Sequence, residues 1–138
     1  MASDLVLVAN AADATVSTFA LDAAGQRLEP LATSAVGRGC STFVVDEDRD
    51  LVYAATKGDA DGHGQGVDSF RLDRTTGALT RLGHVDGTGY HYLALAHGGR
   101  VLAGAAYHSG EATTWVLDGE GGISDPVAEV AWRNAHAV

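Results

Sequence analysis

The chain has 138 residues, of which 46% are hydrophobic and 20% are charged, and this balance indicates a folded globular unit rather than a disordered chain. Its 18 acidic and 9 basic side chains give a formal net charge of −9, which argues against nucleic acid as a partner because phosphate binding depends on Lys and Arg. The sequence has no apolar run near the ~18 residues of a membrane span and no signal-peptide pattern at Met1–Asp4, so we expect no membrane partner and a cytoplasmic location.

Short strand-like segments recur in the same order three times along the chain. The first segment occupies residues 5–10 (LVLVAN), 51–56 (LVYAAT) and 100–105 (RVLAGA). A second segment follows at residues 16–22, 67–73 and 112–118, and a glycine turn with a short apolar segment comes next, at Gly25, Gly77 and Gly122. Segments that are rich in Val, Leu, Phe and Thr and bounded by Gly, Asp or Asn are typical of β-strands. Because no stretch shows helical spacing, the sequence predicts an all-β fold.

A further strand-like run closes each repeat. It lies at residues 42–45 and 92–95, and a third copy begins at 135–138, where the sequence ends. A period of roughly 40 to 50 residues with about four strands is typical of a β-propeller blade. The sequence therefore predicts a partial β-propeller of about three four-stranded blades, at approximately 5–50, 51–99 and 100–138, with the last blade incomplete and no second domain.

A propeller ring needs at least four blades, so three blades would leave two apolar blade faces uncovered. We expect the remaining blades to come either from a chain segment beyond residue 138 or from other copies through oligomerisation.

The sequence carries no convincing metal or cofactor motif. Residues 59–64 imitate the opening of a calcium loop, but His63 and Phe70 occupy its fifth and twelfth positions, so a polar turn is the better interpretation. His84, His91, His97 and His108 show no metal-ligand spacing and are interpreted as surface or turn histidines. The single Cys40 is predicted to be a buried, unreactive thiol.

The segment Arg133-Asn134-Ala-His136 is the best candidate for chemistry. It lies where the innermost strand of a blade would begin, and loops there open onto the central channel of a propeller, where ligands usually bind. Arg133 could hold a carboxylate or phosphate, Asn134 could donate to a carbonyl, and an imidazole at position 136 could activate water. The alternative is that His136 only makes a hydrogen bond between blades.

Several stretches resemble the lactonase-type seven-bladed propellers, the family that includes bacterial 6-phosphogluconolactonase and fungal carboxymuconate cyclase. The most specific are Tyr92-Leu-Ala-Leu, Gly104-Ala-Ala-Tyr107 and Arg133-Asn-Ala-His-Ala137, with weaker matches at residues 41–46 and 72–79. The resemblance implies a seven-bladed ring that opens a sugar-acid lactone, with His136 as the candidate base and Arg133 holding an anionic substrate. Tyr92 matches a position where some members carry a histidine, and His91 precedes it, so both are candidate substrate-binding residues.

The resemblance places further Arg and Glu candidates in later blades, beyond Val138, so we expect no turnover by this chain alone. A phosphosugar lactone and a carboxymuconate lactone both remain possible substrates. Two alternatives stay open: a non-catalytic propeller scaffold that binds a small molecule or a protein, and a propeller fragment whose copies assemble into a ring.

Overall fold

Alternating apolar residues and short turns fold the chain into three antiparallel sheets. The computed structural model describes residues 4–40, 42–58 and 64–138, so most of the predicted turn at 59–64 lies outside the described residues. The first sheet contains β1 (Asp4–Asn10), β2 (Thr15–Leu21) and β3 (Leu28–Ala35). The second contains β4 (Thr42–Asp46), β5 (Leu51–Lys57), β6 (Gln65–Leu72) and β7 (Leu79–Asp86). The third contains β8 (Tyr92–Ala96), β9 (Val101–Ala106), β10 (Glu111–Leu117) and β11 (Ile123–Ala131).

The all-β prediction is confirmed, since the described residues form strands and turns. Among these residues there is also no helix that could cross a membrane.

Each four-stranded sheet takes its first strand from the end of the preceding sequence repeat. β4 pairs with β5 from Thr42–Ala55 to Asp46–Leu51, and β8 pairs with β9 in the same way. The sequence units 5–50, 51–99 and 100–138 are therefore offset from the sheets by one strand. The three-stranded sheet is the first rather than the last, and residues 135–138 form no strand. The offset between repeats and sheets has a local cause, because the four-residue turn after β4 folds the chain directly back so that β5 pairs with β4.

The second sheet is packed on both of its faces. Alternate residues of β5 point to opposite sides, so Leu51, Tyr53 and Ala55 face the third sheet while Val52 and Ala54 face the first. Two apolar clusters result. The cluster between the second and third sheets also contains Val67, Val85, Tyr90, Leu93, Leu102, Ala106, Trp115 and Leu117. The cluster between the first and second sheets also contains Val16, Val36, Cys40, Phe70, Leu72 and Leu79.

Cys40 is fully buried, as the sequence predicted, and burial raises the pKa of its thiol to about 11. A thiol with such a pKa carries almost no thiolate at neutral pH, so Cys40 has a packing role.

The largest buried side chain is Trp115, which anchors the cluster between the second and third sheets. Its ring meets Tyr90 edge-on, with centroids 5.0 Å apart. Gly104 lies beneath both rings, and a β-carbon at this position would approach Tyr90 to 3.0 Å and Trp115 to 3.1 Å. The aromatic pair can pack this closely because Gly104 has no side chain.

Strand direction divides the loops between two opposite rims of the sheets. The odd-numbered strands of the first sheet end at the same rim as β5, β7, β9 and β11. We call this edge the histidine rim, and the described residues of its loops are 11–14, 36–40, 58, 64, 87–91, 107–110 and 132–138. The opposite edge is the acidic rim, with loops at 22–27, 47–50, 73–78, 97–100 and 118–122. Any site built from several sheets must lie on one of these rims.

A charged cluster joins the first and second sheets near the histidine rim. Asp68 is only 2% exposed, and its carboxylate contacts Arg81 at 2.8 Å and His84 Nδ1 at 2.5 Å. His84 Nε2 contacts the exposed Asp86 carboxylate at 2.8 Å. Arg81 also donates to the carbonyl oxygen of Val36, which follows the first sheet. The interpretation of His84 as a surface histidine is confirmed, because it is exposed, and the structure adds that it lies within β7 between two carboxylates.

Burial opposes protonation of His84, but its hydrogen bonds to Asp86 and Asp68 outweigh this effect and raise its pKa above 6.5. A raised pKa in the folded state means that protonation stabilises the fold at low pH.

We expect Trp115→Ala to lower the free energy of unfolding by about 3–5 kcal/mol, because it empties a fully buried site. Trp132→Ala is the matched control, since Trp132 is 70% exposed and its loss should change stability by no more than about 0.5 kcal/mol. Urea denaturation measures both. Equal losses for the two variants would contradict the packing described here.

We expect His84→Gln to destabilise the protein more at about pH 5.5 than at about pH 9. The stabilisation from the protonated imidazole is fully present below the pKa of an unfolded histidine and is lost as the pH rises through the raised folded pKa. Unfolding free energies at the two pH values test this. His97→Asn serves as the control, because His97 lies in an acidic-rim turn at φ 52°, a conformation that Asn also tolerates. A loss that is independent of pH would overturn the assignment.

Candidate functional site

His91 sits at the histidine rim, one residue before β8. Its backbone N–H donates to the carbonyl oxygen of Ala105 at 2.8 Å, which continues the pairing of β8 with β9 by one residue. The backbone N–H of Tyr107 donates to Nδ1 of the His91 ring at 3.2 Å. Both the backbone and the ring of His91 are therefore fixed by the end of β9.

Four rings from three loops meet around this point, and we call His91, Tyr107, His108 and His136 the imidazole cluster. The ring centroids of His91 and His108 are 4.9 Å apart, and those of Tyr107 and His108 are 5.4 Å apart. Tyr107 also contacts His136 at 6.1 Å and His91 at 6.3 Å. The structure thus brings together two sequence candidates, His91 and His136, that are far apart in the chain.

The segment that carries His136 is held against the turn between β9 and β10. The N–H of Trp132 donates to the carbonyl oxygen of Gly110 at 2.7 Å, and the N–H of Ala135 donates to Trp132 at 3.2 Å. Gly110 has φ 72°, and a β-carbon there would lie 3.3 Å from the Trp132 oxygen. Glycine is required at this position both by its backbone conformation and by this close approach.

Arg133 and Asn134 lie on the same segment with exposed side chains. Asn134 adopts the left-handed backbone region at φ 60°, which turns the chain before His136. In the part of the chain that the structure describes, neither side chain makes a hydrogen bond or an ion pair.

Tyr92 lies on a different surface from the imidazole cluster. Its neighbour Leu93 points into the core toward the second sheet, so Tyr92 points to the opposite face of the third sheet, where it is 42% exposed. His91 and Tyr92 therefore do not share a surface, and His91 is the one that contacts the other site candidates.

The charged neighbours of His91 among the described residues are a lysine and two imidazoles. Desolvation lowers the pKa of His91 below 6.5, and the charges of His108, Lys57 and His136 lower it further. Lys57 ends β5, and its aliphatic stem packs on Gly39, where a β-carbon would come within 2.7 Å of it. His91 is therefore held mainly as a neutral imidazole at pH 7.

The two rims differ in charge. Among the described residues, the loops of the histidine rim carry Asp13 beside Arg38, His91, His108, Arg133 and His136, and the strand ends there add Lys57, Asp86 and Glu111. The loops of the acidic rim carry Asp22, Glu47, Asp48, Asp50, Asp73, Asp118 and Glu120 beside Arg27, Arg49, Arg74, His97 and Arg100. A groove of about 380 Å³ on the histidine rim is lined by Ala11, Ala12, Arg38, Gly39, Lys57 and Gly58. Because Arg38 and Lys57 line this groove, it can attract an anion locally even though the chain is acidic as a whole.

The sequence did not single out Tyr107, His108 or Lys57 as site residues. His108 lies in a turn, as predicted, but that turn places it beside His91. Antiparallel strand direction could have revealed this, because β9 ends at the rim where β8 begins, and the turn after β9 must lie there. Within residues 4–40, 42–58 and 64–138, no three His, Cys, Asp or Glu side chains are arranged to hold a metal ion.

Comparison with known proteins gives a consistent family. The family described as lactonase, 7-bladed β-propeller, matches residues 6–136. A 6-phosphogluconolactonase of Bacillus subtilis is 29% identical over 120 residues, which cover 84% of this chain and 33% of that protein. This chain therefore spans about a third of the curated relative that it matches.

Solved structures show the same fold. The periplasmic gluconolactonase of Pseudomonas aeruginosa superposes with a TM-score of 0.82 at 19% identity, covering 99% of this chain and 40% of that one. A putative 6-phosphogluconolactonase of Bacteroides fragilis gives a TM-score of 0.80 at 20% identity, covering 96% of this chain and 37% of that one. These TM-scores show that the three sheets have the propeller fold.

Proposed function

Because the chain belongs to the seven-bladed β-propeller lactonase family, we propose that it contributes the imidazole cluster to a site that hydrolyses a sugar-acid lactone in a complete ring. The observation that carries the proposal is that His136 and His91 both lie beside Tyr107 at one rim of the propeller sheets. The names of the relatives, a 6-phosphogluconolactonase and a gluconolactonase, support lactones of sugar acids as the substrate class.

His136 acts as the general base in this proposal. Its neutral imidazole takes a proton from water, and the water oxygen forms a bond to the lactone carbonyl carbon. The carbonyl oxygen then carries the negative charge of a tetrahedral intermediate. When the ring C–O bond breaks, the leaving oxygen takes the proton back from the imidazolium. The product is an open-chain hydroxy acid, and His136 returns to its neutral form.

Arg133 binds the anionic group of the substrate. It follows Trp132, whose N–H donates to the Gly110 carbonyl oxygen, and it precedes His136 by three positions. An anion held by its guanidinium would therefore lie next to the base. Asn134 donates a hydrogen bond to a substrate oxygen, whereas Tyr92, on the other face of the third sheet, has no part in this site. Arg38 and Lys57, which line a groove on the same rim, favour an anionic lactone, whether its charge is a phosphate or a carboxylate.

We expect His136→Ala to lower kcat/KM for a sugar-acid lactone by about 10²–10⁴-fold in the ring-complete protein, because general base catalysis is lost. The acidic limb of the pH–rate profile should disappear with it. Lactone hydrolysis followed by pH-stat titration measures both effects, with His97→Asn on the acidic rim as the control.

The 138-residue chain assayed by itself is expected to give no turnover, because the resemblance places further site residues in later blades. Rapid hydrolysis by this chain alone would contradict that expectation. Wild-type protein that binds a sugar-acid lactone without hydrolysing it would instead favour a non-catalytic scaffold.

We expect Arg133→Gln to raise KM for a lactone that carries a phosphate or carboxylate by about 10-fold or more, because a charge-assisted hydrogen bond is lost. KM for an uncharged lactone of the same ring size should change little. Arg27→Gln is the control, since Arg27 lies on the acidic rim with an exposed side chain. Equal changes for charged and uncharged lactones would show that Arg133 does not bind the anionic group.

A further inference from the structure

The ring of His91 has one nitrogen already occupied by the protein. The Tyr107 backbone N–H points at Nδ1 over 3.2 Å, and a backbone N–H can only donate. Nδ1 must therefore be the acceptor and cannot carry a proton without losing this bond. A neutral His91 then carries its proton on Nε2.

The charged neighbours of His91 among the described residues favour this neutral state. The end of β5 brings Lys57, the turn after β9 brings Tyr107 and His108, and the last segment brings His136. None of these neighbours is an acid that would stabilise an imidazolium. His91 differs in this respect from His84, whose two ring nitrogens both face carboxylates and whose pKa is raised rather than lowered.

We propose that His91 is a neutral hydrogen-bond donor, fixed as the Nε2–H tautomer by the backbone of Tyr107, and that it stabilises the oxyanion formed during lactone opening. This inference rests on the proposed function. A donor that keeps its proton suits the carbonyl oxygen, whose charge develops only in the transition state, whereas the base must accept a proton. His91 and His136 would then have different tasks within one cluster.

The role of Tyr107 follows from its main chain. Its N–H sets the tautomer of His91, and the end of β9 fixes the position of that N–H, so Tyr107 is a positioning residue. The backbone of His91 is held as well, because its N–H donates to the carbonyl oxygen of Ala105. The donor is thus organised before substrate arrives, which is the condition under which an oxyanion donor is most effective.

The first test is spectroscopic and needs no substrate. Two-bond ¹⁵N–¹H correlation spectra of the histidine-labelled protein should show His91 as the neutral Nε2–H tautomer, titrating below pH 6.5. His91→Ala identifies the signal by its disappearance. An Nδ1–H tautomer, or an imidazolium at neutral pH, would overturn the inference.

The second test separates a donor from a base. In the ring-complete protein, His91→Ala should lower kcat by about 10²–10³-fold with little change in KM, and the shape of the pH profile should stay the same. His91→Gln should recover most of this loss, because its amide nitrogen can donate near the Nε2 position. His136→Gln should recover none, because an amide cannot accept and return a proton.

The outcomes distinguish this inference from the proposed function. If His91→Gln is as inactive as His91→Ala, or if either variant removes a titration from the pH profile, the donor role is wrong while the lactonase proposal stands. If the wild-type ring hydrolyses no lactone, the proposed function fails and the oxyanion role fails with it. The tautomer assignment is then judged by the spectrum alone.

Discussion

The structure depends on the burial of the second sheet between its two neighbours. β5 shows this most clearly, since Val52 and Tyr53 are adjacent in the chain, point to opposite sheets and are both fully buried. Each buried apolar side chain of this size contributes roughly 1.5–3 kcal/mol relative to an exposed one. With both faces occupied by packing, polar chemistry is restricted to the loops at the two rims. The location of the candidate site is thus a consequence of how the sheets are stacked.

Buried charges set the relative position of neighbouring sheets. Asp68 and Arg81 connect the second sheet to the carbonyl of Val36, and on the acidic rim Arg49 joins Asp46 at 3.0 Å and the carbonyl of Gly98 at 2.9 Å. A buried carboxylate that lost its partner would be strongly destabilising, so these contacts hold the sheets in one arrangement. The stacking brings Lys57, at the end of β5, to the imidazole cluster, whose members all flank strands of the third sheet.

The distribution of charge reconciles an acidic chain with the proposed anionic substrate. Most carboxylates of the described loops are at the acidic rim, where several cap turns, as Asp73 and Asp118 do by accepting backbone N–H bonds that lower the pKa of each carboxyl. Net charge reports on the whole surface, whereas a ligand responds to the local field. On the histidine rim, Arg38 and Lys57 line one groove and the side chain of Arg133 is exposed, so the local field there can differ from that of the whole chain.

The sequence by itself determined the strands, the repeat and the family. Strand identity follows from local alternation and turn residues, and the family from stretches such as Gly104-Ala-Ala-Tyr107, none of which requires knowledge of distant contacts. The sequence also identified Arg133, Asn134 and His136 as candidates, because their segment precedes an expected inner strand. It assigned the last run of each repeat to the wrong sheet, since a repeat in sequence has no unique starting point while a hydrogen-bonded sheet does.

Only the tertiary structure decided which side chains meet. Tyr92 was the better match to the family pattern, yet strand alternation turns it to the far face of the third sheet and leaves His91 beside His108 and Tyr107. His84 is a surface residue, as the sequence predicted, but only the structure shows that the Asp68 carboxylate of β6 lies against it. These contacts are made within single sheets and depend on strand pairing and register. Pairing and register are set by the cooperative burial of residues far apart in the chain, and no local pattern encodes that burial.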